Sequence, residues 1–176
     1  MSLQFYVGGD MLLRGSQMLR EKEKEDLRAI GATPYAPQDD KEINDKSNQS
    51  EENNNGLAEK IFYKDTMAMI NSDVLIFEVA NNNVGTCVEI GQWAMIHMLH
   101  EMHPKNELLA QLASKPVLFH STDVRDTDIP EASYRRSHSY NQYLVGALIK
   151  TNPLGILQWN DVLKECKQIL IDRGEI

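Results

Sequence analysis

Short runs of consecutive apolar residues alternate along this chain with longer stretches in which apolar positions recur every three or four residues. The short runs are LQFYVGG at 3–9, TPYAP at 33–37, DVLIFEVA at 73–80, KPVLFHS at 115–121 and LGIL at 154–157. Glycine, proline or polar residues bound each of them, the pattern of strands buried on both faces. The helical stretches begin with SQMLREKEKEDLRAI from Ser16, for which Gly31 is a natural stop. Further helices are predicted over 56–72, over 86–102 with continuation through Pro104 into NELLAQLAS, and over 139–150. In the last helix Val162, Leu163, Cys166, Ile169 and Leu170 share one face, and Asn160 is its expected cap. Residues 38–55 carry one strong apolar side chain, Ile43, and predict a polar loop or lid that ends near 56. A second polar loop is expected over 123–139.

Strands separated by helices imply parallel pairing through right-handed crossovers. The expected fold is therefore α/β: a three-layer sandwich with a five-stranded parallel sheet, flavodoxin-like or Rossmann-like, with helices on both faces. Ligands in such sheets bind beyond the carboxyl ends of the strands. Here those ends bring residues 6–10, 37–40, 81–89 and 120 onward to one edge.

At 176 residues the chain fits a single domain over 1–176. Its net charge of −8 disfavours nucleic acid and anionic membrane as partners, because both need a positive field. Cys87 and Cys166 are too few for a disulfide framework. The N-terminal segment lacks the signature of a signal peptide, and no apolar run is long enough to span a bilayer, so a cytoplasmic protein is expected. His97, His100 and His103 recur every three residues, which turns the outer two apart on a helix and argues against a metal site. Arg125, Arg135 and Arg136 could meet a phosphate or form a solvated cluster. Neither G-x-G-x-x-G nor G-x-x-x-x-G-K-[ST] occurs, which removes the phosphate-loop readings.

Two carboxylates carry the candidate chemistry. Glu89 lies in NVGTCVEIGQW, between an apolar strand and an apolar helix. Thr86 and Glu89 match the capping box, in which the glutamate returns to the backbone of the cap. The same carboxylate could instead face a pocket as a nucleophile. Asp65 recurs with Ala58, Ile61, Phe62 and Met69 at spacings of three and four, which puts it on an apolar stripe. Burial there would raise its pKa and let it keep a proton, unless it is exposed or paired with Lys64 or Arg14. Tyr6 ends the first strand beside Gly8 and Gly9, which allow a ligand or another backbone to come close. Its hydroxyl could serve a site or simply be satisfied in the core.

Taken together, these segments resemble the nucleoside 2-deoxyribosyltransferase family. The likeness rests on FYVGG at the end of the first strand and on Asp65 eight positions before Asp73 in YKDTMAMINSDVLIF. It rests also on GTCVEIG at 85–91, which begins with Gly85, and on NQYLVGALIKTN, which contains Asn141. The resemblance implies that Glu89 attacks C1′ of a 2′-deoxynucleoside and forms a covalent deoxyribosyl-enzyme. Asp65 would protonate the departing base and Tyr6 would orient Glu89. Gly8, Gly9, Asp39, Asn83, Gly85 and Asn141 would contact substrate, Asn141 from a neighbouring subunit of a homo-oligomer. No cofactor is implied; the ligands are a nucleoside and a nucleobase. Asn83 stands where many members have an aspartate, and an amide cannot ionise. Asp39 and Lys41 lie near the place of the family's glutamine beyond the second strand. Two alternatives stay open: an N-glycoside hydrolase acting on nucleosides or nucleoside 5′-monophosphates, and a non-catalytic nucleotide-binding module with Glu89 as a cap.

Overall fold

Five strands, β1 (Gln4–Gly8), β2 (Thr33–Tyr35), β3 (Val74–Glu78), β4 (Val117–His120) and β5 (Ile156–Leu157), form one parallel sheet in the order β2-β1-β3-β4-β5. The computed structural model describes residues 2–45, 47, 50–80, 82–123 and 140–176. This strand order is the flavodoxin-like one, with its switch point between β1 and β3. Pro34 is accommodated in β2 because that strand is at the sheet edge, where a missing N–H costs least.

Eight helices form among the described residues: α1 (Arg14–Ala29), α2 (Lys41–Asn44), α3 (Glu51–Asn54), α4 (Leu57–Asn71), α5 (Val84–Met102), α6 (Glu107–Ala113), α7 (Gln142–Thr151) and α8 (Trp159–Asp172). Alternation along the strands sorts the core into two layers. Phe5, Val7, Val74, Ile76 and Leu118 pack with Leu27 of α1 and with Val162, Cys166 and Leu170 of α8. Tyr6, Leu75, Phe77, Val117 and Phe119 pack on the other face with Met69 of α4, Ile90 and Trp93 of α5, Leu112 of α6 and Leu148 of α7. Lys115 donates from Nζ to the carbonyls of Ile70 and Ser72, which closes the C-terminal end of α4 and fixes it beside the sheet.

Several elements differ from the sequence expectation. The helical run does not continue through Pro104. It ends at Met102, and α6 restarts after Asn106, whose Oδ1 accepts the Leu109 N–H at 3.1 Å. Proline restricts the residue before it to extended backbone, and His103 is accordingly non-helical. The cap of α8 is Gln158 in place of Asn160, because Trp159 already belongs to the helix and donates its indole N–H to Asp26 at 2.9 Å. A 3₁₀ turn over Pro37–Asp39 leads into the segment expected as a loop, which contains α2 and α3, and Ile43 is buried. On α4, Ile61, Asp65 and Met69 turn inward, whereas Ala58 and Phe62 are exposed. The buried stripe is narrower than the spacing predicts.

Candidate active site

The carboxyl ends of β1 and β3 diverge at the switch point, and α5 begins just beyond them. Asn83 caps that helix, its Oδ1 accepting the Thr86 N–H at 3.4 Å. Thr86 therefore lies inside the first turn. Glu89 is too far along to return to the cap, and the capping-box reading of Thr86 and Glu89 fails. Its carboxylate turns to the sheet instead, where the buried Tyr6 donates its hydroxyl to Oε1 at 2.6 Å. The other oxygen, Oε2, lies against Gly8. A Cβ placed on Gly8 would come within 3.0 Å of Oε2 and 2.7 Å of Phe77 Cδ1, closer than side-chain atoms pack. Glycine is required there so that the carboxylate can settle on the end of β1.

Asp65 comes from α4 and faces the same cavity as Glu89. This cavity measures about 320 Å³ and is lined by Gly9, Asp10 and Leu12 after β1, by Ile61 and Asp65 of α4, and by Asn83, Gly85 and Glu89 around the start of α5. Asp65 Oδ1 is buried and has no hydrogen-bond partner. Burial raises the Asp65 carboxyl to about 6, with Asp40 adding to the rise and Lys64 opposing it. Glu89 is raised to about 7, first by burial and then by the charge of Asp65, while the Tyr6 hydrogen bond pulls it down. The Tyr6 phenol is held well above its ordinary value by burial and by Glu89, so it is a proton donor throughout. Asp10 resists the upward push of burial through bonds from Ser16 and the Leu12 N–H, and its pKa is lowered.

Of the residues singled out from sequence, Tyr6, Gly8, Gly9, Asp65, Asn83, Gly85 and Glu89 converge here. Asp39 does not. Both its oxygens take Lys24 Nζ at 2.7 Å, away from the cavity. Asn141 is exposed at the start of α7, where its Oδ1 accepts the Tyr143 N–H at 2.9 Å. Arg125, Arg135 and Arg136 lie outside the described residues. Sequence reasoning placed Ile61 beside Asp65 and named Lys64 only as a possible partner for it, and it singled out neither Asp10 nor Asp40. The GGD run was a usable signal for Asp10, but nothing in the polar 38–55 composition marked Asp40 as the neighbour of Asp65. Larger hollows of about 880 and 430 Å³ flank α3, but they are lined mainly by exposed polar side chains such as Glu52 and Asn54. Among the described residues no group of three or more His, Cys, Asp or Glu is placed to hold a metal ion.

Two desolvated carboxylates, one braced by a tyrosine, at the switch point of a flavodoxin-order sheet define an α/β protein with a paired-acid site. The chain belongs to the nucleoside 2-deoxyribosyltransferase family, whose sequence model matches residues 5–137. No curated protein matches it. Among solved structures it is similar to a conserved protein from Enterococcus faecalis V583, with 22% identity, a TM-score of 0.65, and 97% of this chain and 100% of the other covered. It is similar also to the 2-deoxyribosyltransferase of Bacillus psychrosaccharolyticus, with 16% identity, a TM-score of 0.55, and coverage of 91% and 90%. At these identities the structural likenesses show the fold. Family membership supports deoxyribosyl transfer, in an enzyme of nucleotide metabolism acting on small-molecule nucleosides. No helix of the described residues is long and apolar enough to cross a membrane.

Proposed function

We propose that this protein moves the 2-deoxyribosyl group from one nucleobase to another through a covalent bond to Glu89. The observation that carries the reading is the Tyr6–Glu89 contact in a cavity shared with the unpartnered carboxyl of Asp65. The chemistry is that of a retaining glycosidase. As the bond from C1′ to the base breaks, positive charge spreads over C1′ and the ring oxygen, and the Glu89 carboxylate first stabilises and then captures it. Asp65 delivers its proton to the departing base and recovers it from the incoming one.

Burial raises Asp65 to about 6 and Glu89 to about 7. Covering Asp65 with a nucleobase favours its protonated form. A neutral Asp65 no longer pushes Glu89 upward, and the Tyr6 hydrogen bond then favours the Glu89 anion. Proton on Asp65 and charge on Glu89 is thus the self-consistent state. Gly8 and Gly9 give the sugar access to the strand end, and Asn83 and Gly85 border it from α5.

The whole chain acts as one domain, with the segment near 38–56 as its lid. Copies associate so that Asn141 of one completes the site of another. Both cysteines are free, as a cytoplasmic enzyme would have them. Incubation with a deoxynucleoside, with and without a second base, tests the reading. The exchanged nucleoside is expected to dominate when the second base is present. Equal free deoxyribose under both conditions would make the protein a hydrolase.

A further inference from the structure

Directly through the sheet from Glu89, the apolar layer of Val7, Ile76 and Leu118 gives way at the strand ends to a buried polar one. Arg20 of α1 is its centre and is 1% exposed. Its Nη1 donates to the Gly8 carbonyl at 3.0 Å, and its Nη2 donates to Glu23 at 2.9 Å and to Glu78 at 3.0 Å. Glu78 ends β3 and pairs in register with His120, the end of β4. His120 Nε2 lies 3.2 Å from Glu23, and Thr122 donates to the second oxygen of Glu78.

Stability does not account for such a group. Buried ion pairs seldom stabilise more than apolar side chains of the same volume would. Here Arg20 Nε also lacks a hydrogen-bond partner, and Glu23 Oε2, although 2.8 Å from Arg20 Nη1, accepts no hydrogen bond. What the cluster does fix is position. The register of β2 against β1 runs only to Tyr35 opposite Tyr6, and beyond it the Gly8 carbonyl accepts from Arg20. The opposite side of Gly8 is the surface on which Glu89 Oε2 rests. Gly9 is held just as closely, since a Cβ there would fall 2.4 Å from Arg20 Nη1.

We propose that Arg20 is a positioning residue for Glu89. By gripping the Gly8 carbonyl and the Glu78 carboxylate together, it sets the gap between β1 and β3 and with it the seat of the nucleophile. A planar guanidinium can hold both at fixed angles, and an ammonium cannot. The inference rests on the reading of Glu89 as nucleophile.

The test compares Arg20→Lys and the parent in deoxynucleoside exchange, and follows the Glu89 carboxyl by ¹³C NMR, with Glu89→Gln assigning the signal. In Arg20→Lys, kcat is expected to fall ~100-fold, as for a reacting group displaced by about 1 Å, with KM kept within about threefold. The Glu89 midpoint is expected to rise above the parent's, because the Tyr6 bond that lowers it loosens. Glu78→Gln, which keeps an acceptor of the same length for Arg20, is expected to change both in the same direction and decides the matter if Arg20→Lys does not fold. A folded variant with lowered thermal stability but the parent's kcat and Glu89 midpoint overturns the assignment. If the parent itself shows no exchange, the transferase reading fails, and the Glu89 midpoint still tests the Arg20 assignment.

Discussion

Asp65 and Glu89 are both raised by burial, yet only Glu89 has a hydroxyl to hold its charge. That difference sets the pH dependence. Activity needs Glu89 ionised, which is gained as pH rises through about 7, and Asp65 protonated, which is lost as pH rises through about 6. The expected profile of kcat/KM is a bell with its maximum between those values. In Asp65→Asn the alkaline limb disappears and, without the neighbouring charge, the Glu89 midpoint falls below that of the parent. The rate is expected to drop ~10²–10⁴-fold, the usual worth of a positioned acid. Measuring kcat/KM against pH with an ordinary deoxynucleoside checks the limb and the rate. A base that departs without protonation isolates the Glu89 midpoint, and an unchanged midpoint contradicts the pairing of the two acids. The sequence presented Glu89, Asp65 and Tyr6 through the spacing of three separated segments. It pointed to Thr86 as the cap of α5, whereas Asn83, a residue of equal capping strength, holds that place.

At the scale of elements, the apolar runs located all five strands, because parallel strands covered on both faces are nearly continuous in apolar character. Helix ends were less legible. The apolar periodicity runs through Pro104, although the proline's restriction of His103 breaks the run into α5 and α6. The segment before α4, with Ile43 as its one strong apolar side chain, predicts a loop, yet it forms α2 and buries Ile43. Its Asp40 takes Lys64 Nζ at 2.9 Å and so ties the segment to the helix that carries Asp65. Such long-range pairings leave no periodic trace in a sequence. The buried Arg20 layer is a further instance, because α1 reads as an ordinary charged helix until Glu78 and His120 are brought beside it.

Over the whole molecule, apolar surface is concentrated on α5, where Val88, Met95, Met98 and Met102 are about half or more exposed, and Phe62 and Tyr63 of α4 are exposed as well. Met95, Met98 and Met102 recur at i, i+3 and i+7, a spacing that would suit core positions. Their exposure along one helix face is what an interface between copies requires. Tyr143, 91% exposed beside Asn141, marks the start of α7 in the same way. Light scattering on the parent is expected to give an oligomer, and Met95→Glu with Met98→Glu is expected to give monomers with little exchange activity. A fully active monomeric parent contradicts the shared site.

The covalent bond at Glu89 is tested most directly by the mass of the intact protein after mixing with a deoxynucleoside and no acceptor base. The account predicts an adduct of one deoxyribosyl group, chased off by a second base and absent from Glu89→Ala. An adduct that survives in Glu89→Ala, or a parent that releases base without ever gaining mass, would contradict it.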